Sequence, residues 1–202
     1  MSADSKKELY IVGLGPGARQ KMTQEAIDVV EACEVIAGYK VYIDLLKPYY
    51  PDKEYLVNGM RQEVERCRLA LETAAGGKKT ALVCSGDAGV YGMAGITLEL
   101  ATEFPEVDVH VIPGVTAALS GAALLGAPLG HDFTVISLSD LLTPWELIER
   151  RLAAAAEGDF AICLYNPSSK KRHDYLQKAC DLILKYQPES LVCATVSNIG
   201  RE

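Results

Sequence analysis

The chain has no C-x-x-C pair, no apolar run long enough to span a bilayer, no excess of positive charge and only three histidines. Each absence removes a class of function. The six cysteines (Cys33, Cys67, Cys84, Cys163, Cys180 and Cys193) fall mostly inside apolar periodic segments. They read as small buried hydrophobes of a reducing cytosol, not as a disulfide or zinc framework. No cluster of thiolates suggests an iron–sulfur centre, and no metal is expected. Residues 1–7 lack the apolar core of a signal peptide. A cytoplasmic protein without a membrane partner is therefore expected. A net charge of −7 disfavours nucleic acid as the main partner, because phosphate neutralisation needs a basic face. It still allows a local basic pocket for a small acidic molecule.

What is present is a regular alternation of strand-like and helix-like segments over 202 residues, the signature of an α/β fold. Strands are expected at 8–12, 35–37, 80–84, 107–112, 133–138, 159–165 and 191–196. Helices are expected at 23–33, with Thr23 as N-cap, and at 61–75, with Val64, Cys67, Leu71 and Ala74 inward. Others are expected near 94–104, 114–126, 143–157 and 171–186. Thr143-Pro144-Trp145-Glu146 reads as an N-cap, a first-turn proline and a capping-box acid. With no low-complexity linker, the boundary is placed at Pro113-Gly114, giving lobes at 1–113 and 114–202. The second lobe is expected to be incomplete, since Gly200-Arg201-Glu202 follows directly on a strand and a turn.

Three glycine-bearing turns follow expected strands. They are Gly13-Leu14-Gly15-Pro16-Gly17, Ser85-Gly86-Asp87-Ala88-Gly89-Val90-Tyr91-Gly92 and Pro113-Gly114-Val115-Thr116-Ala117. Open α/β sheets bind ligands at the carboxyl ends of their strands, where glycine lets a ligand approach the main chain. Bare main-chain groups and one shared cleft are expected. Gly13-x-Gly15-x-x-Ala18 fits the dinucleotide fingerprint on paper. The acid that should follow about twenty residues later is missing, and Gly38-Tyr39-Lys40 stands there instead, which disfavours a nicotinamide-binding oxidoreductase. Asp87 is read either as a ligand contact or as a cap of the next helix.

Taken in order, these motifs resemble the class III S-adenosylmethionine-dependent tetrapyrrole methylases over essentially the whole chain. The stretches 129–145 and 164–172 resemble the branch that methylates carbon 17 of precorrin-3B in cobalamin synthesis. The resemblance implies a two-lobed fold with a mostly parallel N-terminal sheet and a mixed C-terminal sheet. It implies S-adenosylmethionine as methyl donor, a corrin precursor as substrate and a homodimer. By similarity, Pro16, Ser85, Gly86, Asp87, Val90, Thr116, Ala117, Tyr165 and Asn166 contact the cofactor. Gly15, Arg19, Tyr39, Lys40, Tyr91, Ser137, Lys170 and Arg172 are expected at the substrate, the cations holding its carboxylates. Ring contraction calls for proton transfer, for which His131 and Asp132 are the first candidates and Ser137 and Asp140 the next. The alternatives are a sister methyltransferase acting at another ring carbon, a nicotinamide-binding oxidoreductase, and a non-catalytic subunit that holds a tetrapyrrole or cofactor.

Overall fold

The computed structural model describes residues 7–59, 62–169 and 172–200. Its contacts divide the chain into two units, residues 1–120 with 197–202 and residues 121–196. The division falls inside a helix, seven residues after the Pro113-Gly114 turn, and a short C-terminal stretch returns to the first unit.

The first unit is a five-stranded sheet of β1 (Glu8–Gly13), β2 (Val35–Tyr39), β3 (Glu54–Asn58), β4 (Thr80–Cys84) and β5 (Asp108–Ile112). Its order is β3-β2-β4-β1-β5 and every pairing is parallel. Alternate residues of each strand enter opposite cores. Leu9, Ile11, Leu82 and Cys84 pack against α3 (Glu63–Ala75) and α4 (Ala94–Ala101). Val12, Ile36, Ala81 and Val83 pack against α1 (Gln24–Ala32) and α2 (Lys40–Leu46). Burial on both faces explains why the central strands read as continuous apolar runs. Each fully buried aliphatic side chain contributes roughly 1.5–3 kcal/mol.

Neighbouring β1 and β4 send their helices to opposite faces. The chain leaves β1 through α1 towards β2, and leaves β4 through α4 towards β5. A topological switch point therefore lies between the carboxyl ends of β1 and β4, where open sheets of this kind form their ligand crevice.

The second unit carries a parallel pair, β6 (Phe133–Ser137) with β7 (Ala161–Tyr165), covered by α6 (Trp145–Glu157) and α7 (Tyr175–Ile183). The helix α5 (Ala117–Leu125) precedes it. A mixed sheet needs strands beyond these two. The strand expected at 191–196 is not formed among the described residues: Leu191 to Val196 is exposed and lacks a ladder partner.

Several local expectations shift. Thr23 does cap α1, its side chain accepting from Ala26 N at 3.1 Å. The cap of α6 is Pro144, not Thr143: its carbonyl receives Leu147 N and Ile148 N, and no side chain closes a capping box. Val64 is exposed, and the buried stripe of α3 runs through Arg66, Cys67, Ala70, Leu71 and Ala74. The short elements α2 and β3 were not anticipated. α7 begins at Tyr175, later than expected.

Candidate functional site

The turns after β1, β4 and β5 lock onto one another. Gly15 and Gly86 form an isolated antiparallel bridge, Gly15 N donating to Gly86 O at 2.9 Å and Gly86 N to Gly15 O at 2.8 Å. Both residues have φ of +68°, where a side chain is strained. A Cβ on Gly13 would stand 2.7 Å from both Gly114 N and Gly86 O, and one on Gly114 would strike Gly86 O. These glycines are therefore required by loop-on-loop packing. The expectation of bare main-chain groups is corrected: several of them are paired between the turns, making a rigid platform at the switch point.

Asp87 ties this platform together. Its Oδ1 accepts from Gly89 N at 2.8 Å and Val90 N at 3.1 Å, and its Oδ2 from Gly114 N at 3.0 Å. The carboxylate thus organises its own turn and clips it to the turn after β5. Thr116 borders Gly86, since a Cβ there would lie 3.6 Å from Thr116 Cα and 3.7 Å from Ala117 N. Pro16 and Ala18 border Gly200: a Cβ on that residue would lie 3.3 Å from Pro16 O. Ser85 and Val90 are half-buried on the same turns. The structure thus brings together Gly15, Pro16, Ser85, Gly86, Asp87, Val90, Thr116 and Ala117. Tyr91 is exposed on the β4 turn at φ +52°, a strained conformation for a tyrosine.

Two expected substrate cations are already engaged. Arg19 Nη2 pairs with Glu31 at 2.7 Å and its Nε donates to Tyr50 at 3.3 Å. Lys40 pairs with Asp44 one turn along α2 at 2.6 Å. Tyr39, at the end of β2, lies edge-on to Tyr42 and beside the Arg66 guanidinium, 5.8 Å from ring centre to Cζ. Sequence reasoning missed Arg66. Its signal was a charged residue in register with Ala70 and Ala74 on the apolar stripe of α3.

In the second unit a polar network sits at the carboxyl ends of β6 and β7. Asn166 Nδ2 donates to Ser137 Oγ at 2.9 Å, with Asn166 at φ +52°. Tyr165 lies opposite Ser137 in the ladder. Arg172 Nε donates to Ser169 Oγ at 3.1 Å and stands 3.9 Å from Asp140 Oδ1. Tyr175 OH donates to Asp140 Oδ2 at 2.7 Å, and that bond is the largest cause raising the phenol's pKa. Ser137 and Asp140, the second choices for proton transfer, both belong to this network, whereas Tyr175 was not among the expected site residues. Lys170 lies outside the described residues. His131 and Asp132 are not brought to this network. They are exposed at the start of β6, and at ~3.3 Å per residue the strand separates them from Ser137 by on the order of 17 Å.

The platform is a main-chain rim at the carboxyl end of the first unit's sheet. It presents main chain, hydroxyls and a carboxylate that is already committed, and the absence of a Cβ at Gly13, Gly15 and Gly114 is what lets the main chain close on itself there. The nicotinamide pattern does not match. β2 ends in Tyr39 and leads directly into α2, with no acid for a ribose. Among the described residues no group of His, Cys, Asp and Glu is arranged to hold a metal, and no helix is long and apolar enough to cross a membrane.

Comparison with known proteins agrees with this geometry. Residues 8–202 match the model of the Tetrapyrrole (Corrin/Porphyrin) Methylases. A probable cobalt-factor III C(17)-methyltransferase of Salmonella typhimurium is 48% identical over 195 residues, covering 96% of this chain and 81% of the relative. A precorrin-3B C(17)-methyltransferase of Sinorhizobium sp is 45% identical over 187 residues, covering 91% and 73%. The crystal structure of the methyltransferase CobJ superposes with a TM-score of 0.83 at 38% identity, covering 89% of this chain and 76% of that one. With its parallel sheet, its interlocked glycine turns and a match running from β1 to the end of the sequence, the chain belongs to the tetrapyrrole methylase family.

Proposed function

We propose that this methyltransferase transfers a methyl group from S-adenosylmethionine to carbon 17 of precorrin-3B or its cobalt-containing counterpart, with contraction of the ring, in cobalamin biosynthesis. The observation that carries the reading is the platform at the β1/β4 switch point, in a chain whose relatives are named for this reaction. When bound, the donor supplies an electrophilic sulfonium methyl, so the reaction needs no protein nucleophile. The chain's task is placement. Asp87 fixes the β4 turn against Gly114, and the Gly15–Gly86 bridge holds the β1 turn beside it. Pro16, Ser85, Val90, Thr116 and Ala117 then line a surface whose shape does not relax. Holding the two reactants in line contributes up to ~7–11 kcal/mol to lowering the barrier.

In the second unit, Tyr165 and Asn166 are the proposed cofactor contacts, and Ser137 and Arg172 the proposed substrate contacts. Of the first-unit residues, Gly15, Tyr39 and Tyr91 keep a proposed substrate role. Arg19 and Lys40 are weaker choices because each is already paired. The His131–Asp132 pair is a proposed proton carrier only if substrate reaches the start of β6. A cytoplasmic homodimer completes the reading. It is supported by exposed Leu124, Leu125, Leu141 and Leu142, apolar surface that a second copy would cover.

The test is to incubate the protein with S-adenosylmethionine and either macrocycle, then follow product mass. Gain of one methyl at carbon 17, located by fragmentation or NMR, is expected. Binding of S-adenosylhomocysteine without methyl transfer to either macrocycle would refute the substrate assignment. Methylation at a different carbon would point to a sister activity.

A further inference from the structure

Arg66 is the one charged side chain that is buried among the described residues, at 3% exposure. Its neighbours are a poor match for a cation. Nη1 donates to the sulfur of Met93 at 3.5 Å and Nη2 to the carbonyl of Gly59 at 2.7 Å. Its Nε is buried with no partner. A guanidinium has five N–H donors, so most of this fork is unused. No carboxylate among the described residues pairs with it, and Glu63 and Glu65 of the same helical turn are exposed.

Three effects act against a cation here. Burial without a counter-charge is strongly unfavourable. The first turn of α3 carries the positive end of the helix dipole. A thioether is a weak acceptor. The chain keeps the arginine regardless, in a stripe whose other members are Cys67, Ala70, Leu71 and Ala74.

The surroundings have the form of an anion receptor. The first turn of α3 follows β3, at the carboxyl edge of the sheet. Asn58, in register with Tyr39, ends β3 there, and its Oδ1 is also buried and unpartnered. A half-turn of that amide presents Nδ2 as a second donor. Tyr39 lies beside the guanidinium, 5.8 Å from ring centre to Cζ, and the unused N–H groups can still make in-plane, charge-assisted bonds.

We infer that Arg66, with Asn58 and Tyr39, is the receptor for a carboxylate side chain of the substrate. This rests on the proposed tetrapyrrole reading, and it replaces Arg19 and Lys40 as the first unit's substrate cation. A bound carboxylate satisfies the unused fork and neutralises the buried charge.

Two variants test it, Arg66→Gln and Asn58→Asp, with Arg66→Lys for comparison. The probes are uroporphyrin as the free acid and as its methyl ester, followed by absorbance titration. Calorimetry with S-adenosylhomocysteine and thermal melting serve as controls. Arg66→Gln is expected to weaken free-acid binding roughly tenfold or more, leaving the ester and S-adenosylhomocysteine unchanged, with Arg66→Lys in between. Asn58→Asp supplies the missing carboxylate from within, so it should raise the melting temperature while weakening free-acid binding. This opposite pair of signs is not produced by a purely structural arginine, and it stands even where Arg66→Gln does not fold. Equal losses for acid and ester, or an Asn58→Asp protein that binds the free acid like wild type, overturns the receptor. Wild-type protein that binds both forms equally also overturns the receptor but leaves the proposed function standing. If wild type binds neither form, the receptor falls, and the proposed function is decided by its own methyl-transfer test.

Discussion

The two units reach a similar end by different materials. In the first, all five residues of β4 are buried, and the carboxyl edge is built from main chain meeting main chain. In the second, all five residues of β7 are only half-buried, and the corresponding edge is a network of Ser137, Asn166, Asp140, Arg172 and Tyr175 side chains. The difference teaches where tolerance lies. A main-chain platform admits few substitutions, because a Cβ at Gly13, Gly15 or Gly114 meets backbone and Gly86 holds a positive φ. A side-chain network loses one bond at a time.

The sharpest way to break this contrast is Gly114→Ala. Its methyl would strike Gly86 O, a backbone atom that cannot swing aside. A loss of about 1–3 kcal/mol or more in stability is expected, with loss of S-adenosylhomocysteine binding, read by melting and calorimetry. Gly95→Ala in α4 meets nothing within 4 Å, so it should be neutral or stabilising by up to ~1 kcal/mol. If both glycines tolerate alanine, the platform is not rigid.

Next in size is Asp87→Ala. It removes three acceptor contacts, freeing the β4 turn from Gly114. Cofactor binding should weaken by roughly one to two orders of magnitude while the sheet stays folded, since a hydrogen bond to a charged group is worth about 1.5–3 kcal/mol. Wild-type affinity in that protein sinks the role given to Asp87.

In the second unit Ser137→Ala should cost only about 0.5–1.5 kcal/mol, measured by denaturant melt, because it removes the Asn166 and Ser139 bonds and creates no collision. A cost as large as that of Gly114→Ala would erase the distinction between the units.

The smallest effect is on cysteine reactivity. Burial pushes the Cys33 and Cys84 thiols up to about 11, so at pH 8 almost no thiolate forms at either. Cys193 is exposed in the second unit. Iodoacetamide followed by peptide mass mapping should label Cys193 first and reach Cys33 and Cys84 only on unfolding. Early labelling of Cys84 would show that β4 opens readily.

The same contrast explains what could be read from the sequence. Strands with both faces buried, such as Thr80–Cys84, are continuous apolar runs, and the glycines beyond them are conspicuous because few residues fit a positive φ or a backbone contact. The first unit and its turns were therefore legible in outline. What those glycines do was not: the sequence suggests a vacant main chain, whereas Gly15 and Gly86 spend theirs on each other. Arg19 and Lys40 looked available because their partners, Glu31 and Asp44, lie a helix turn or more away along the chain. Arg66 looked ordinary because a helix rich in glutamate disguised its inward direction. Asp140 and Tyr175 are 35 residues apart and carry no local pattern. A network closed by tertiary contact leaves no periodic trace. The short α2 and β3 escaped for a related reason, since the half-exposed β3 shows neither a clean alternation nor a long apolar run.

Gly200, at φ +65°, stands against Pro16 and Ala18 in the first of the three turns. The turn after the first strand is thus buttressed by a residue that follows the second unit in the sequence. Chains emerge N-terminal end first, and a pairing this distant in sequence must wait for nearly everything between to be synthesised. A nascent chain can hold its parallel sheet well before the rim beside Pro16 receives the buttress of Gly200.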